Sequence, residues 1–227
     1  MNHQIQGALA ALCLAAALPA ASAQEHAPVP APEVAVGDSW TVQYTDLWKG
    51  AKGSVNRLEV VGVDDQAIEV DIKRAASGAV LTHQRFSREM NPIDRGAMHF
   101  APAFMRYAFP LEPGKEWSGE ATGDNPKSGK HWRYHIKGKV LGWEKVAVKA
   151  GEFDALKVEV KALYRGEETG NNGGSGQLTE VLWYAPAVNS YVKLDYNDTD
   201  WTGRIYNRDS WELLSFVRKA PPPQAAR

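Results

Sequence analysis

The stretch KHWRYHIKGKV, residues 130–140, decides the fold of this chain. From Trp132 onward, every second position in it is apolar or small, and the positions between are basic. The first set comprises Trp132, Tyr134, Ile136, Gly138 and Val140, and the second comprises Arg133, His135, Lys137 and Lys139. Because successive side chains of a β-strand point to opposite faces, this period of two predicts a strand with one buried and one solvated face.

The same alternation recurs along the chain, as at residues 40–45 and 156–161, and turn-forming pairs such as Ala150-Gly151 separate the runs. Consecutive strands joined by short turns pair antiparallel, and a sheet this long must curl or close. The predicted fold class is therefore all-β, an antiparallel meander curled into an open or closed β-barrel. We predict strands at 38–47, 54–62, 67–74, 79–88, 115–123, 130–143, 145–149, 154–164, 178–185, 188–196 and 203–214.

One apolar stretch, residues 89–112, interrupts the period of two. It is rich in Met, Phe and Tyr, and we expect a short irregular or helical segment near 90–110. Residues 98–108 are the candidate helix, although Pro102 is tolerated only near a first helical turn. Two interpretations stay open: the segment covers one end of the curled sheet and lines a cavity, or it fills the core.

The N-terminal region predicts export. Residues 7–19 are apolar but too short to span a bilayer, and Ala21-Ser22-Ala23 follows as a small-x-small cleavage site. We therefore predict a signal peptide at residues 1–23 and a periplasmic protein, with secretion as the alternative. Lipidation is not expected at Cys13, the one cysteine, because Leu12 before it is not small.

Composition divides the rest of the chain and limits its partners. Residues 24–35 form a Pro/Ala-rich linker, 36–218 a single β-barrel-like domain, and 219–227 a disordered tail. The formal net charge of −1, from 26 Lys+Arg and 27 Asp+Glu, argues against nucleic acid as a partner. We expect no transmembrane segment in the mature chain, because none is apolar enough.

A resemblance rests on an ordered set of short patterns spread over residues 105–214. They are Phe109-Pro110-Leu111, Pro113-Gly114-x-x-Trp117, Val148-x-Ala150-Gly151-x-Phe153-x-Ala155-x-Lys157-Val158, Trp183-Tyr184-x-Pro186, Val192-Lys193 and Glu212-Leu213. This order resembles a group of exported bacterial proteins of uncharacterised function, which are expected to fold as open β-barrels loosely similar to periplasmic lipoprotein carriers. The resemblance implies a fold and a compartment, and it transfers no catalytic residue. Lys149 stands where the family pattern has proline.

Two smaller features have competing interpretations. The crowded acidic stretch Asp195, Asn197, Asp198 and Asp200 is either a calcium site, since calcium prefers oxygen ligands, or a polar turn. Trp48 and Trp201 lie next to turns and are the tryptophans that we expect to be exposed. No catalytic, cofactor-binding or metal-ligating residue is predicted, and no G-x-S-x-G, H-E-x-x-H or dinucleotide fingerprint occurs.

Three functional classes remain, and enzyme activity is not favoured. The first is a protein that binds an apolar or amphipathic small molecule in a barrel cavity. The second is an assembly factor that binds another envelope protein by a sheet edge or by the basic strand face. The third is a hydrolase with an unrecognised site. The candidate ligand-lining residues for the first class are Met98, Phe100, Phe104, Met105, Trp117 and Trp183.

Overall fold

The structure is a computed structural model that describes residues 26–167 and 174–219. The predicted signal peptide at 1–23, which contains Cys13, lies outside the described residues. The same holds for residues 220–227 of the predicted tail. Among the described residues, no helix is long and apolar enough to cross a membrane.

The described residues form twelve antiparallel β-strands in one closed barrel. Each strand pairs with its neighbours in sequence, and β1 also pairs with β12, which closes the sheet. The predicted fold class is confirmed, and the barrel is closed rather than open. The strands are β1 Ser39–Asp46, β2 Ala51–Val63, β3 Ala67–Arg74, β4 Val80–Ser87, β5 Pro92–Arg95, β6 Met98–Ala101, β7 Glu116–Asn125, β8 Lys130–Val148, β9 Gly151–Gly166, β10 Ser175–Ala185, β11 Ser190–Asp200 and β12 Ile205–Val217, with a short 3-10 helix at Pro186–Val188.

Strand β8 shows how the period of two becomes a barrel wall. Tyr134, Ile136 and Val140 are buried, whereas the basic residues between them are exposed, as the sequence predicts. The strand continues to Val148, where two separate strands were expected at 130–143 and 145–149. The register shifts between Val140 and Gly142, so a β-bulge inside one strand takes the place of the expected break.

The stretch near 90–110 contains no helix. Instead, β5 and β6 complete the wall between β4 and β7. An irregular segment, residues 102–115, follows β6. Proline has no backbone N–H to donate to a neighbouring strand, which explains why β6 ends directly before Pro102. Of the two forms expected for this stretch, the irregular one is correct, and residues 98–108 as a helix are wrong.

Two apolar clusters fill the barrel. The first packs the irregular segment against β7 to β10 and includes Phe100, Phe104 and Leu182. The second packs β1 to β4 against β11 and β12 and includes Trp40 and Ile68. The irregular segment thus fills part of the interior, as its second interpretation expects, while its Arg106 and Tyr107 also line an interior cavity, as the first expects.

Both ends of the domain are fastened to the barrel. Within the stretch 24–35, Val29 is buried and exchanges two backbone hydrogen bonds of 2.8 Å with Leu111. The carboxylate of Asp38 is fully buried and accepts hydrogen bonds from the backbone N–H groups of Ala35 and Lys219. The chain that enters β1 and the chain that leaves β12 therefore meet at one buried carboxylate.

A close approach inside the barrel gives a test of the wall geometry. Gly138 on β8 lies opposite Trp117 on β7, and a methyl group at Gly138 would overlap the indole ring. We expect Gly138→Ala to lower the free energy of unfolding by about 1–3 kcal/mol, because overpacking forces side chains off their rotamers. Urea unfolding followed by tryptophan fluorescence measures the loss.

Gly119→Ala is the matched control on β7, since its methyl group would lie 3.2 Å from Cε of the flexible Met105. We expect a smaller loss there, and the loss from Gly138→Ala should shrink in a Trp117→Leu background. Equal losses from the two glycine variants would contradict the contact between Gly138 and Trp117.

Candidate functional site

A cavity of about 160 Å³ lies inside the barrel between the two apolar clusters. Its wall mixes aromatic and aliphatic side chains with a smaller number of polar ones. Strands β1 to β5 and β10 to β12 contribute to it, together with the β4–β5 turn, the irregular segment and the turn before β11. The lining residues are Trp40, Val42, Asn56, Leu58, Val70, Ile72, Thr82, Gln84, Phe86, Met90, Arg95, Arg106, Tyr107, Tyr184, Asn189, Ser190, Tyr191, Leu194 and Trp211.

A buried ion cluster stands at one side of this cavity. Glu180 on β10 is fully buried, and Arg106 from the irregular segment binds it through two parallel hydrogen bonds. These run from Nε to Oε2 at 2.7 Å and from Nη2 to Oε1 at 2.8 Å. Arg95 at the end of β5 adds a third, from Nη1 to Oε1 at 2.8 Å. Paired two-point contacts of this kind are the strong form of the arginine–carboxylate bond.

The cluster stays ionised despite its burial. Burial by itself would raise the pKa of Glu180, but Arg106 and Arg95 outweigh it and lower this pKa to about 2. Burial would likewise lower the pKa of Arg106, and the adjacent Glu180 carboxylate raises it instead. Two cations and one anion therefore share the site at neutral pH.

Several polar groups of the cavity wall are available to form hydrogen bonds with a ligand. The hydroxyls of Tyr107, Tyr184 and Tyr191 have no hydrogen-bond partner among the described residues, and burial raises the pKa of all three. They therefore remain protonated donors at neutral pH. The side-chain oxygen of Asn56 is also buried without a partner. A buried polar atom left unpaired costs free energy, which a bound polar group would recover.

Few paired residues join strands β4 and β5 beside the cavity. β5 has four residues and pairs with β4 only at Arg85–Asp94 and Phe86–Pro92. Further along β4, Thr82 and Gln84 line the cavity and are only half-buried. The side chain of Arg95, across from them, is 32% exposed. Few hydrogen bonds therefore join β4 to the β5–β6 hairpin where Thr82, Gln84 and Arg95 border the cavity.

Five of the six candidate ligand-lining residues lie together, but away from this cavity. Phe100 and Phe104 are buried in the first apolar cluster with their ring centroids 5.5 Å apart, and Met98, Met105 and Trp117 pack against that cluster. None of the five belongs to the cavity wall described above. Their role in ligand binding stays a prediction, and the proposed binding in this cavity does not depend on it.

The sixth candidate, Trp183, lies on the outer face of the barrel. Lys157 and Lys193 sit over its indole ring at 5.1 and 4.9 Å from the ring centre, and its Nε1 donates to Glu144 at 2.7 Å. The residue after it, Tyr184, is buried and lines the cavity. The two neighbours point to opposite faces as expected, and the inward one is Tyr184.

The acidic side chains of β11 are shared between the two faces of the strand, because successive residues of a strand point to opposite faces. Asp195 accepts a hydrogen bond from Ser210, Asp198 accepts one from Tyr164, and Asp200 caps the following turn at Thr202. Within the described ranges, no group of three or more His, Cys, Asp or Glu side chains is arranged to hold a metal ion.

The exposure of the two turn tryptophans agrees with expectation. Trp48 is 51% exposed and Trp201 is 80% exposed, in the β1–β2 and β11–β12 turns.

The charged cluster was missed at the level of sequence, although two signals pointed to it. Glu180 stands in an alternating run on the same face as Leu178 and Leu182, which is the buried face of the predicted strand 178–185. Arg106 is the one charged residue in the run 100–111, which is otherwise apolar. Charged side chains are almost never fully buried unless they are paired, so each of these positions implies a partner.

Comparison with known proteins shows the fold alone. No family model and no curated protein matches this chain. A structure of a proposed lipoprotein of Parabacteroides distasonis ATCC 8503 is similar at 16% identity and a TM-score of 0.52, covering 85% of this chain and 100% of that one. A proposed exported protein of Bacteroides fragilis NCTC 9343 with a YmcC-like fold has 14% identity and a TM-score of 0.48, covering 85% and 100%. The twelve-stranded sheet of this chain confirms the barrel fold that the sequence resemblance implied, although the barrel is closed where an open one was expected.

Removing the central carboxylate tests the ion cluster. We expect Glu180→Gln to lower the free energy of unfolding by about 3–5 kcal/mol, because it leaves two guanidinium groups without their buried counter-charge. Glu120→Gln is the control, since Glu120 is 68% exposed and pairs with His135 on the surface. The control should lose less than about 1 kcal/mol. Comparable losses in urea unfolding would contradict the central role of Glu180.

The ion cluster also predicts a pH dependence of stability. The pKa of Glu180 falls from its ordinary 4.5 to about 2 on folding, so the unfolded chain binds this proton more readily. The stabilisation is complete above about pH 4.5 and is lost as the pH falls toward about 2. The difference in unfolding free energy between the wild type and Glu180→Gln should therefore shrink over this range. A difference that stays constant in urea titrations would contradict the lowered pKa.

Proposed function

We propose that this chain is an exported protein of a bacterial envelope that holds an apolar or amphipathic small molecule inside its barrel. The observation that carries the proposal is the cavity between the two apolar clusters, with a volume of about 160 Å³. Protein interiors are close-packed and contain few voids larger than a water molecule. An apolar molecule bound there would supply the packing contacts that the wall lacks, so it would stabilise the fold.

The size and chemistry of the wall suit a small amphipathic ligand. A cavity of about 150 Å³ encloses a group the size of benzene, so a longer ligand would extend from it past the half-buried Thr82 and Gln84. Trp40, Phe86 and Leu194 offer apolar contacts, while Asn56 and Gln84 offer amide groups. Mostly apolar walls with a few convergent polar groups are typical of small-molecule sites.

Export is supported by the signal-peptide pattern of residues 1–23. The similar structure from Parabacteroides distasonis is described as a proposed lipoprotein, which fits the same compartment. Cys13 follows Leu12 and departs from a lipidation signal, so we propose a periplasmic protein without a lipid anchor.

A second candidate, an assembly factor that binds an envelope protein, is favoured by one observation. Along Val80–Gln84, strand β4 pairs with β3 but has no β5 partner among the described residues, and Val80 and Leu81 are exposed. An extended peptide can add to such an edge. The basic face of β8 supports this candidate less, because acidic neighbours pair with its charges, as in Arg133–Glu167 and Lys139–Glu116.

Native mass spectrometry of mature protein purified from a bacterial periplasm tests the proposed function. An excess mass that solvent extraction releases as a small apolar molecule supports the barrel as a carrier. A bare polypeptide mass, together with no uptake of the neutral fluorescent probe N-phenyl-1-naphthylamine, overturns it. A co-purified polypeptide in place of a small molecule favours the edge of β4.

A cavity-filling variant locates the site. Ile72 is a half-buried wall residue, and we expect Ile72→Trp to weaken binding of N-phenyl-1-naphthylamine by at least about tenfold, because the indole would occupy the probe's space. Leu163→Trp is the matched control, since Leu163 is 58% exposed on the outer face of β9. Circular dichroism confirms that both variants fold. Equal probe affinity in the two variants would place the probe outside this cavity.

A further inference from the structure

The cavity wall carries an excess of positive charge. Arg95 and Arg106 both line the cavity, and no acidic side chain does. Glu180, the carboxylate that pairs with them, is fully buried and lies outside the cavity wall. A molecule in the cavity therefore meets two cations, and the one carboxylate that is hydrogen-bonded to both of them is already engaged.

The two arginines have hydrogen-bond capacity left over. Arg95 uses only Nη1 on Glu180, and its Nε and Nη2 have no partner among the described residues. Arg106 uses Nε and Nη2 on Glu180. Its Nη1 has no hydrogen-bond partner within residues 26–167 and 174–219. A guanidinium presents five N–H donors and no acceptor, so these free groups can only be satisfied by an acceptor.

The surroundings favour Arg95 as the group that meets a ligand. Its guanidinium lies 5.4 Å from the ring centre of Tyr196, and this contact holds the Arg95 side chain in place. The Arg95 side chain is also partly exposed, beside the sparsely paired strands β4 and β5. Two further half-buried carboxylates accept hydrogen bonds from tyrosines: Asp198 accepts from Tyr164 at 2.8 Å, and Asp209, which Arg95 also attracts, accepts from Tyr44 at 2.9 Å. Neither belongs to the cavity wall.

We propose that the ligand of this cavity is an amphiphile with an anionic head group, whose oxygens bind the free N–H groups of Arg95 while its apolar body packs against the aromatic wall. The inference rests on the proposed function and names the chemistry of its ligand. The unpartnered hydroxyls of Tyr107 and Tyr191 stand on the same wall and add neutral donors for the head group. Hydrogen bonds between an ionised acceptor and a guanidinium are about twice as strong as neutral ones.

Three probes with the same alkyl chain test the head group: decanoate, 1-decanol and decyltrimethylammonium. In isothermal titration at neutral pH, we expect the full mature protein to bind decanoate at least about tenfold more tightly than 1-decanol, which corresponds to about 1.4 kcal/mol. Decyltrimethylammonium should bind most weakly. Arg95→Gln should remove most of the preference for decanoate, because it lowers the affinity for decanoate much more than the affinity for 1-decanol.

Arg133→Gln is the matched control for the loss of one positive charge, since the Arg133 side chain is 59% exposed on the outside of the barrel. It should keep the full preference for decanoate. Arg95→Gln leaves the two-point contact between Arg106 and Glu180 in place, so the variant is expected to fold, and circular dichroism checks this.

The outcomes separate the inference from the function on which it rests. Equal affinities of the wild type for decanoate and 1-decanol would overturn the anionic head group and leave a cavity that binds apolar molecules. Tighter binding of decyltrimethylammonium, or an undiminished preference in Arg95→Gln, would overturn it as well. If none of the three probes binds and N-phenyl-1-naphthylamine does not bind either, the proposed function fails and the inference fails with it.

Discussion

The pairing of β1 with β12 is the constraint on which the rest of the structure depends. Once this pairing closes the sheet, every second side chain of the wall points into one shared interior. An eight-stranded barrel is just wide enough for its own side chains to fill, and twelve strands enclose more space than that. Side chains that do not belong to the strands must then fill the remaining interior. Here the irregular segment after β6 supplies them.

The ion cluster explains how this segment is held in the interior. Arg106 carries its charge into the barrel and meets Glu180 on β10 through two hydrogen bonds. Taking two charges out of water is costly, and an apolar pair of the same volume would often be as stable. A directional pair does fix the position of the segment. It also leaves a guanidinium-lined space, because the segment packs against β7 to β10 and not against β1 to β4.

The sequence indicates the strands well but does not indicate this cavity, for one physical reason. Alternation is a local property, so the buried faces of β8 and β10 can be read from residues 130–140 and 178–185. A cavity is defined by residues far apart in sequence, such as Trp40 and Tyr184, that meet only after closure. The apolar stretch with Phe100 and Phe104 attracted attention because of its composition, yet composition does not separate a core from a lining.

The sequence by itself determined the all-β class, the antiparallel order and the strands' inward faces, because each follows from neighbouring residues. It also placed Glu180 and Arg106 where charged side chains need partners. Only the tertiary structure decided that the barrel closes, that these two residues are each other's partners and that Arg95 joins them. Pairing across 74 residues of chain depends on the curvature and register of the whole sheet, which no local pattern encodes.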